Sequence, residues 1–244
     1  GWKGLAGCAD SLAIALTIQQ HNQFLVVVTP DNHTALRLEH EVAFFLQDRD
    51  AILHFPDWET LAYDVFSPLP EIISQRLKTL TRLSTVERGV LIVSVATLMQ
   101  RLAPRKHILA NSFEIRVGGL FKLAEQRTRL DSVGYQYVNQ VLQHAEFSIR
   151  GSIIDLFPMG STLPYRIELF DDEVESIRTF DPETQRSLEQ VKSISLFPAR
   201  EFPVTDDSIK QFRKNFRLQF PSAPLNNPIY NDVTQGIMPG GIDY

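Results

Sequence analysis

The sequence predicts an α/β fold, a parallel sheet packed against helices, that is interrupted by an inserted antiparallel α+β unit. Short apolar runs occur at 23–30, 51–55 and 89–95, and segments with helical periodicity lie between them. Strands that alternate with helices are typical of a parallel sheet. From residue 146 onward, consecutive apolar runs are separated by short turn sequences, which predicts antiparallel strands.

The elements of the first part follow from their apolar spacing. Residues 11–20 suit a short buried helix, and the β-branched run at 23–30 predicts a strand covered on both faces. Asp31 is predicted to cap a helix that continues to Gln47, and residues 71–83 form a further helix. The predicted inward faces of these two helices are Ala35, Leu38, Val42 and Leu46, and Ile72, Leu77 and Leu80.

The second part is predicted to combine one helix with several strands. A strand at 113–117 precedes a helix at 120–133, which Gly134 ends. Antiparallel strands then continue to Phe197. Residues 112–196 are therefore predicted to be an inserted α+β unit.

After this unit the sequence returns to a helix, at 209–220, followed by a Pro/Asn-rich loop at 221–228. The apolar stripe of the helix is predicted to pack on the chain's own sheet, with the cations on the opposite face. The stripe consists of Ile209, Phe212, Phe216 and Phe220, and the cations are Lys210, Arg213, Lys214 and Arg217.

Composition restricts the class of protein. The 244 residues, 43% of them hydrophobic and 22% charged, are typical of a globular protein with one large or two small cores. A formal net charge of −5 disfavours a dedicated DNA-binding domain. The single cysteine, Cys8, fits a reducing cytoplasm, and no apolar run is long enough to span a membrane. The first and last residues show no capping or tail composition, so we expect a fragment of a longer protein.

The turn at 3–11 (KGLAGCADS) is where a phosphate-binding loop would lie in such a domain. That loop needs glycine N–H groups around the phosphates, then a lysine and a Ser/Thr hydroxyl. Gly4 and Gly7 are present, but residues 8–10 (CAD) replace the required Gly-Lys pair, and Asp10 would repel phosphate. The six histidines lack metal-site spacing, and no nucleophile motif occurs. We therefore predict no catalytic residue, no cofactor and no metal.

Residues 57–64 form a dense aromatic and acidic segment. Two interpretations are a recognition surface and a loop pinned by a buried Trp58, of which the pinned loop is favoured.

The strand at 165–170 has an unusual outer face. If Tyr165, Ile167 and Leu169 face the core, Arg166, Glu168 and Phe170 project together from the other side. These three positions include an arginine and a large aromatic side chain, which are enriched in protein-binding hot spots. Two simpler interpretations remain: Arg150 belongs only to a turn with Gly151, and Arg166 forms a weak surface ion pair with Glu168 or Glu175.

Several long, ungapped runs carry a family resemblance. They are RGSIIDLFP at 150–158, PYRIELFDDEVESIRTFD at 164–181 and TQRS at 184–187. The chain resembles the UvrA-binding domain that the excision-repair protein UvrB shares with bacterial transcription-repair coupling factors. The runs DLFPMGSTLPYRIELFDDE, DWETLAYDVFSP (57–68) and GVLIVSVATLMQR (89–101) are more similar to the coupling factors.

The resemblance implies an architecture and a role. Residues 1–111 and 197–244 would form a degenerate RecA-like domain, related to P-loop NTPases, and 112–196 would be the inserted UvrA-binding domain. Arg150, Arg166 and Phe170 fall on family positions that contact UvrA. If all three are surface residues, their replacement is expected to leave stability nearly unchanged.

The resemblance also implies properties of the longer protein. It would be an ATP-driven translocase on double-stranded DNA that acts on stalled RNA polymerase, with its motor in the C-terminal part. A C-terminal domain would mask the UvrA-binding face in the resting protein, and this part of the chain would not be an enzyme. The alternatives are a UvrB-like ATPase or helicase half, disfavoured by residues 8–10, and a DNA-binding module, disfavoured by net charge.

Overall fold

The computed structural model describes residues 3–21, 23–46, 48–60, 66–221 and 227–242. The chain divides into two compact units, one made of Gly1–Glu59 with Gln75–Leu102 and the other of Thr60–Ser74 with Ala103–Tyr244. The predicted boundaries at 111/112 and 196/197 stay a prediction.

The first unit contains a three-stranded parallel sheet with the order β1-β3-β2. Its strands are β1 (Phe24–Thr29), β2 (Ile52–His54) and β3 (Gly89–Ser94). The helices in this part of the chain are α1 (Ala9–Gln20), α2 (Asn32–Leu46), α3 (Pro70–Arg82) and α4 (Val95–Leu98), and α3 contains the division between the units. The predicted parallel α/β pattern is confirmed.

Apolar side chains cover both faces of the central strand β3, in which every residue is buried. On one face, α1 and the predicted stripe of α2 pack against Val90 and Ile92. The backbone N–H of Thr34 donates to the Asp31 carboxylate over 2.7 Å, so the predicted helix cap is also confirmed. Strand β1 differs from its prediction. Val26 and Val28 are about half exposed, because the face of β1 that packs against the core is the opposite one, which carries Leu25 and Val27.

Trp58 is a buried residue that fixes the loop after β2. The guanidinium of Arg76, itself buried, lies 3.8 Å from the Trp58 ring centroid and 4.3 Å from that of Phe55. Arg76 Nη1 also donates to the Pro56 carbonyl over 2.9 Å. The pinned-loop interpretation is confirmed for Trp58, while residues 63–64 lie outside the described residues.

The second unit contains a six-stranded sheet with the order β10-β9-β8-β7-β6-β5, antiparallel except for the parallel β5–β6 pair. Its strands are β5 (Gln136–Tyr137), β6 (Glu146–Arg150), β7 (Ile153–Leu156), β8 (Tyr165–Phe170), β9 (Glu173–Phe180) and β10 (Ser187–Val191). A separate antiparallel pair joins β4 (Phe113–Arg116) to β11 (Ser193–Leu196). The helices are α5 (Arg105–Ala110), α6 (Leu123–Ser132), α7 (Asp206–Gln219) and α8 (Pro228–Thr234).

One face of the six-stranded sheet is buried. The inward-facing side chains of β6 to β9 include Phe147, Ile154, Ile167 and Ile177, each at most 1% exposed. The predicted alternation in β8 is confirmed for Ile167 and Leu169, which are buried, while Tyr165 is half-buried. The opposite face of the same strands is therefore the one that carries polar side chains.

Helix α7 packs on α8 rather than on the predicted sheet. The Tyr230 ring centroid lies 5.2 Å from that of Phe216 and 6.3 Å from that of Phe212. Arg217 Nε donates to the Tyr230 hydroxyl over 2.8 Å, so this cation borders the aromatic stripe instead of opposing it. Sequence analysis missed this partner because α8 begins at Pro228, within the stretch predicted to be a loop.

The hydrogen bonds of the second unit continue past the predicted domain end at 196. The Tyr135 hydroxyl donates to the Phe197 carbonyl over 3.0 Å, and the Ala199 N–H donates to the Val133 carbonyl over 2.9 Å. We therefore expect a piece comprising 112–202 to melt about 5 °C or more above one comprising 112–196, since each lost hydrogen bond costs about 1 kcal/mol. Thermal melts followed by circular dichroism measure the difference, and equal midpoints would contradict the expectation.

Candidate protein-binding face

Strands β6 to β9 bring the predicted site residues onto one face. Residues paired across neighbouring strands point to the same side of a sheet. The pairing gives two rows on this side: Ser148, Asp155, Arg166 and Arg178 in one, and Arg150, Ile153, Glu168 and Ser176 in the next. We call this side, together with Phe170 at the end of β8, the outer face.

Asp155 accepts hydrogen bonds from two arginines of the outer face. Its carboxylate is 1% exposed and accepts hydrogen bonds from Arg166 Nε over 2.7 Å and from Arg166 Nη2 over 2.9 Å. Arg150 Nη2 donates to the same carboxylate over 2.5 Å. A buried carboxylate needs such partners, because an uncompensated buried charge is costly.

Arg166 is not the open surface residue that the sequence suggested. Its side chain is 18% exposed, and its third guanidinium nitrogen, Nη1, donates to the Gln185 carbonyl over 3.3 Å. The guanidinium also lies 4.9 Å from the Phe180 ring centroid. The hydrogen bonds to Asp155 raise the pKa of Arg166 above its usual value. The structure contradicts the surface ion pair with Glu168 or Glu175, because Arg166 bonds to the buried Asp155. The surface exposure on which the expectation of unchanged stability depended does not hold for Arg166.

Arg150 is an accessible cation of the outer face. Its side chain is 56% exposed, so the bond to Asp155 anchors a guanidinium that solvent or a partner reaches. The turn that follows requires glycine, because Gly151 has a φ of 63°. The Arg-Gly pair therefore serves both interpretations: it forms the turn, and it presents a charge.

Phe170 is 70% exposed at the last position of β8. The turn residue after it, Asp171, has a φ of 53°, which returns the chain tightly into β9. Glu168 shares the face, but its carboxylate accepts a hydrogen bond from the Ser176 hydroxyl over 2.8 Å. The outer face thus presents an exposed aromatic side chain and an exposed arginine beside a closed ion-pair network.

Sequence reasoning missed Asp155. The feature of the sequence that could have identified it is one acidic residue inside the apolar run at 153–157. Strand periodicity places Asp155 opposite to Ile154 and Leu156, but which side chains meet it depends on the register of β6, β7 and β8. That register becomes visible only in the folded sheet.

The turn before α1, where a phosphate-binding loop would lie, carries an ion pair. Asp10 lies in the first turn of α1, where a phosphate would bind a working loop, and its carboxylate lies 3.0 Å from Arg37 Nη2. The hydrogen bond from Arg37 holds the pKa of Asp10 below its usual value. The Ser11 hydroxyl donates to Glu41 over 2.5 Å. The polar groups at this turn therefore bond to one another, and a carboxylate lies in the first turn of α1.

Among the residues that the structure describes, His, Cys, Asp and Glu side chains nowhere form a group of three able to hold a metal ion. The same residues include no helix with the length and apolar character needed to cross a membrane.

Comparison with known proteins assigns one part of the second unit to a class. Residues 113–202 match the family model of the UvrB interaction domain, so the outer face belongs to a domain of this class. Curated relatives of the chain are the transcription-repair-coupling factors of Haemophilus influenzae (45% identical over 97% of this chain), Escherichia coli (44% over 98%) and Bacillus subtilis (34% over 81%). The chain spans about a fifth of the length of these relatives, namely 20%, 21% and 17%. The resemblance inferred from the sequence motifs is confirmed.

Proposed function

We propose that this chain is the part of a transcription-repair coupling factor that recruits UvrA. The observation that carries the proposal is that Phe170 and Arg150 are both exposed on the outer face of a UvrB interaction domain. An aromatic side chain can fill an apolar pocket of a partner, and an arginine can form a bidentate pair with a carboxylate of the partner. UvrA is the partner implied by the resemblance of this domain to that of UvrB.

In this role the chain is an adaptor for transcription-coupled nucleotide excision repair. The complete protein would move along double-stranded DNA with a separate ATP-driven motor, act on stalled RNA polymerase and bring UvrA to the lesion. Masking of the outer face by a C-terminal domain would keep the resting protein inactive. A reducing cytoplasm is the compartment that the single cysteine favours.

Direct titration tests the proposal. Purified UvrA added to this chain should give saturable binding by calorimetry, with duplex DNA in place of UvrA as the specificity control. Absence of UvrA binding at micromolar concentrations would contradict the proposed function. Tight, salt-sensitive binding of duplex DNA alone would favour the DNA-binding module instead.

The chain itself is expected not to bind ATP. The Asp10 carboxylate lies in the first turn of α1, where it would repel a phosphate, and Arg37, a nearby cation, is already bonded to Asp10 and Glu41. Titration of a fluorescent ATP analogue with magnesium should show no saturation below millimolar concentrations. A micromolar dissociation constant, about −8 kcal/mol, would instead favour the UvrB-like ATPase alternative.

A further inference from the structure

Leu120 is an exposed apolar residue that the sequence did not single out. It lies between β4 and α6 and is 71% exposed. An isolated antiparallel bridge pairs it with Glu173, the first residue of β9. The pairing adds a short stretch of chain to the side of β9, next to the turn that follows Phe170.

The hydrogen bonds fix the direction of the Leu120 side chain. The Phe121 N–H donates to the Asp172 carbonyl over 2.6 Å, and the Val174 N–H donates to the Gly119 carbonyl over 2.9 Å. Because these two bonds lie on either side of Leu120 and Glu173, the two residues form a non-hydrogen-bonded antiparallel pair. In such a pair the side chains lie close together on one face. Glu173 is thus the neighbour of Leu120.

Glu173 also pairs with Phe170 across the β8–β9 turn. Leu120, Glu173 and Phe170 therefore form one row on the same face of the sheet. With neighbouring strands 4.7–4.9 Å apart, Leu120 and Phe170 lie on either side of Glu173 at roughly 10 Å from each other.

This row continues the outer face. A single exposed leucine on a protein surface needs no explanation. Here, however, two large apolar side chains, each about 70% exposed, flank an exposed carboxylate beside the row that contains Arg150. Interfaces bury such apolar anchors and surround them with charged groups.

We propose that Leu120 is a second apolar anchor of the partner-binding face and acts together with Phe170. The partner surface that fits the row has an apolar pocket for the two side chains and a cationic group opposite Glu173. The proposal rests on the proposed function, so the protein that supplies this surface is UvrA.

The test compares matched alanine variants in UvrA titrations. Leu120→Ala should weaken UvrA binding about tenfold or more without changing the melting temperature. Leu218→Ala, which removes a leucine that is 70% exposed on α7, is the control and should bind like the parent. Glu173→Lys should weaken binding more than Glu173→Gln, because lysine repels the cationic group.

The outcomes separate this inference from the proposed function. Failure of the parent chain to bind UvrA overturns both. Loss of binding in Phe170→Ala but not in Leu120→Ala overturns the role of Leu120 alone, and so does an equal loss in Leu218→Ala. A dimer of the chain in sedimentation that Leu120→Ala dissociates would show that the row binds a second copy instead.

Discussion

Replacing Phe170 by alanine is expected to reduce the affinity of this chain for UvrA by about thirtyfold or more. Truncation of a buried aromatic anchor in an interface typically costs about 2 kcal/mol or more, and this loss corresponds to that factor. Phe170 is 70% exposed in the chain alone, so its side chain contributes little to folding. The melting temperature should therefore stay close to that of the parent.

The chain offers a matched control for this variant. Phe44 on α2 is 79% exposed in the first unit, and Phe44→Ala removes the same side chain away from the outer face. It should leave UvrA binding unchanged. Glu168→Ala is less suitable, because it also breaks the hydrogen bond with Ser176. Equal affinities of Phe170→Ala and the parent would show that Phe170 is no anchor.

Replacing Arg166 by alanine is expected to lower the free energy of unfolding by about 3 kcal/mol. The substitution removes the bidentate partner of Asp155. The Asp155 carboxylate, which is 1% exposed, then keeps only one arginine partner, Arg150. Removal of one member of a buried ion pair typically costs 3–5 kcal/mol, because the other charge stays buried. Urea unfolding of Arg166→Ala and of the parent measures the difference.

Two variants check the physical reason for this loss. Arg150→Ala should cost about 0.5 kcal/mol or less, since the Arg150 side chain is 56% exposed and Arg166 still donates two hydrogen bonds to Asp155. The double variant Asp155→Leu/Arg166→Met should be more stable than Arg166→Ala, because it removes both buried charges and keeps apolar volume. If Arg166→Ala unfolds like the parent, the Asp155 network contributes nothing to stability.

The bonds of Arg166 to Asp155 also affect what the UvrA affinity of Arg166→Ala reports. Any loss of UvrA affinity in Arg166→Ala has two sources, a lost contact and a weakened sheet. Arg150 and Phe170 are exposed enough for their variants to report on binding alone. We therefore keep Arg166 as a proposed UvrA contact. Its hydrogen bonds to Asp155, by contrast, are seen directly in the structure.

The architecture could be predicted largely from apolar spacing. The α2 stripe of Ala35, Leu38, Val42 and Leu46 is buried as the helical period required. The burial of β1 could not be predicted in the same way. Val26 and Val28 have the composition of a covered strand, yet which face of a strand is covered depends on the elements that pack on it in the folded chain.

The outer face was predicted in part. Period-two alternation correctly placed Phe170 on the exposed side, since it depends only on the strand itself. Asp155 and Leu120 depend on pairings between separate strands. Leu120 meets Glu173 across 53 residues of chain, and no local pattern encodes such a contact. The packing of α7 on α8 was missed for another reason, namely that α8 begins in the stretch predicted to be a loop.

Site-specific crosslinking tests the central claim, that UvrA docks on the outer face, most directly. A photoreactive phenylalanine analogue replaces Phe170 in one variant and Leu218 in another, and each variant is irradiated in the presence of purified UvrA. We expect a covalent adduct with UvrA from position 170 and none from position 218. An adduct from position 218 alone, or none from position 170 under conditions where the chain binds UvrA, would contradict the claim.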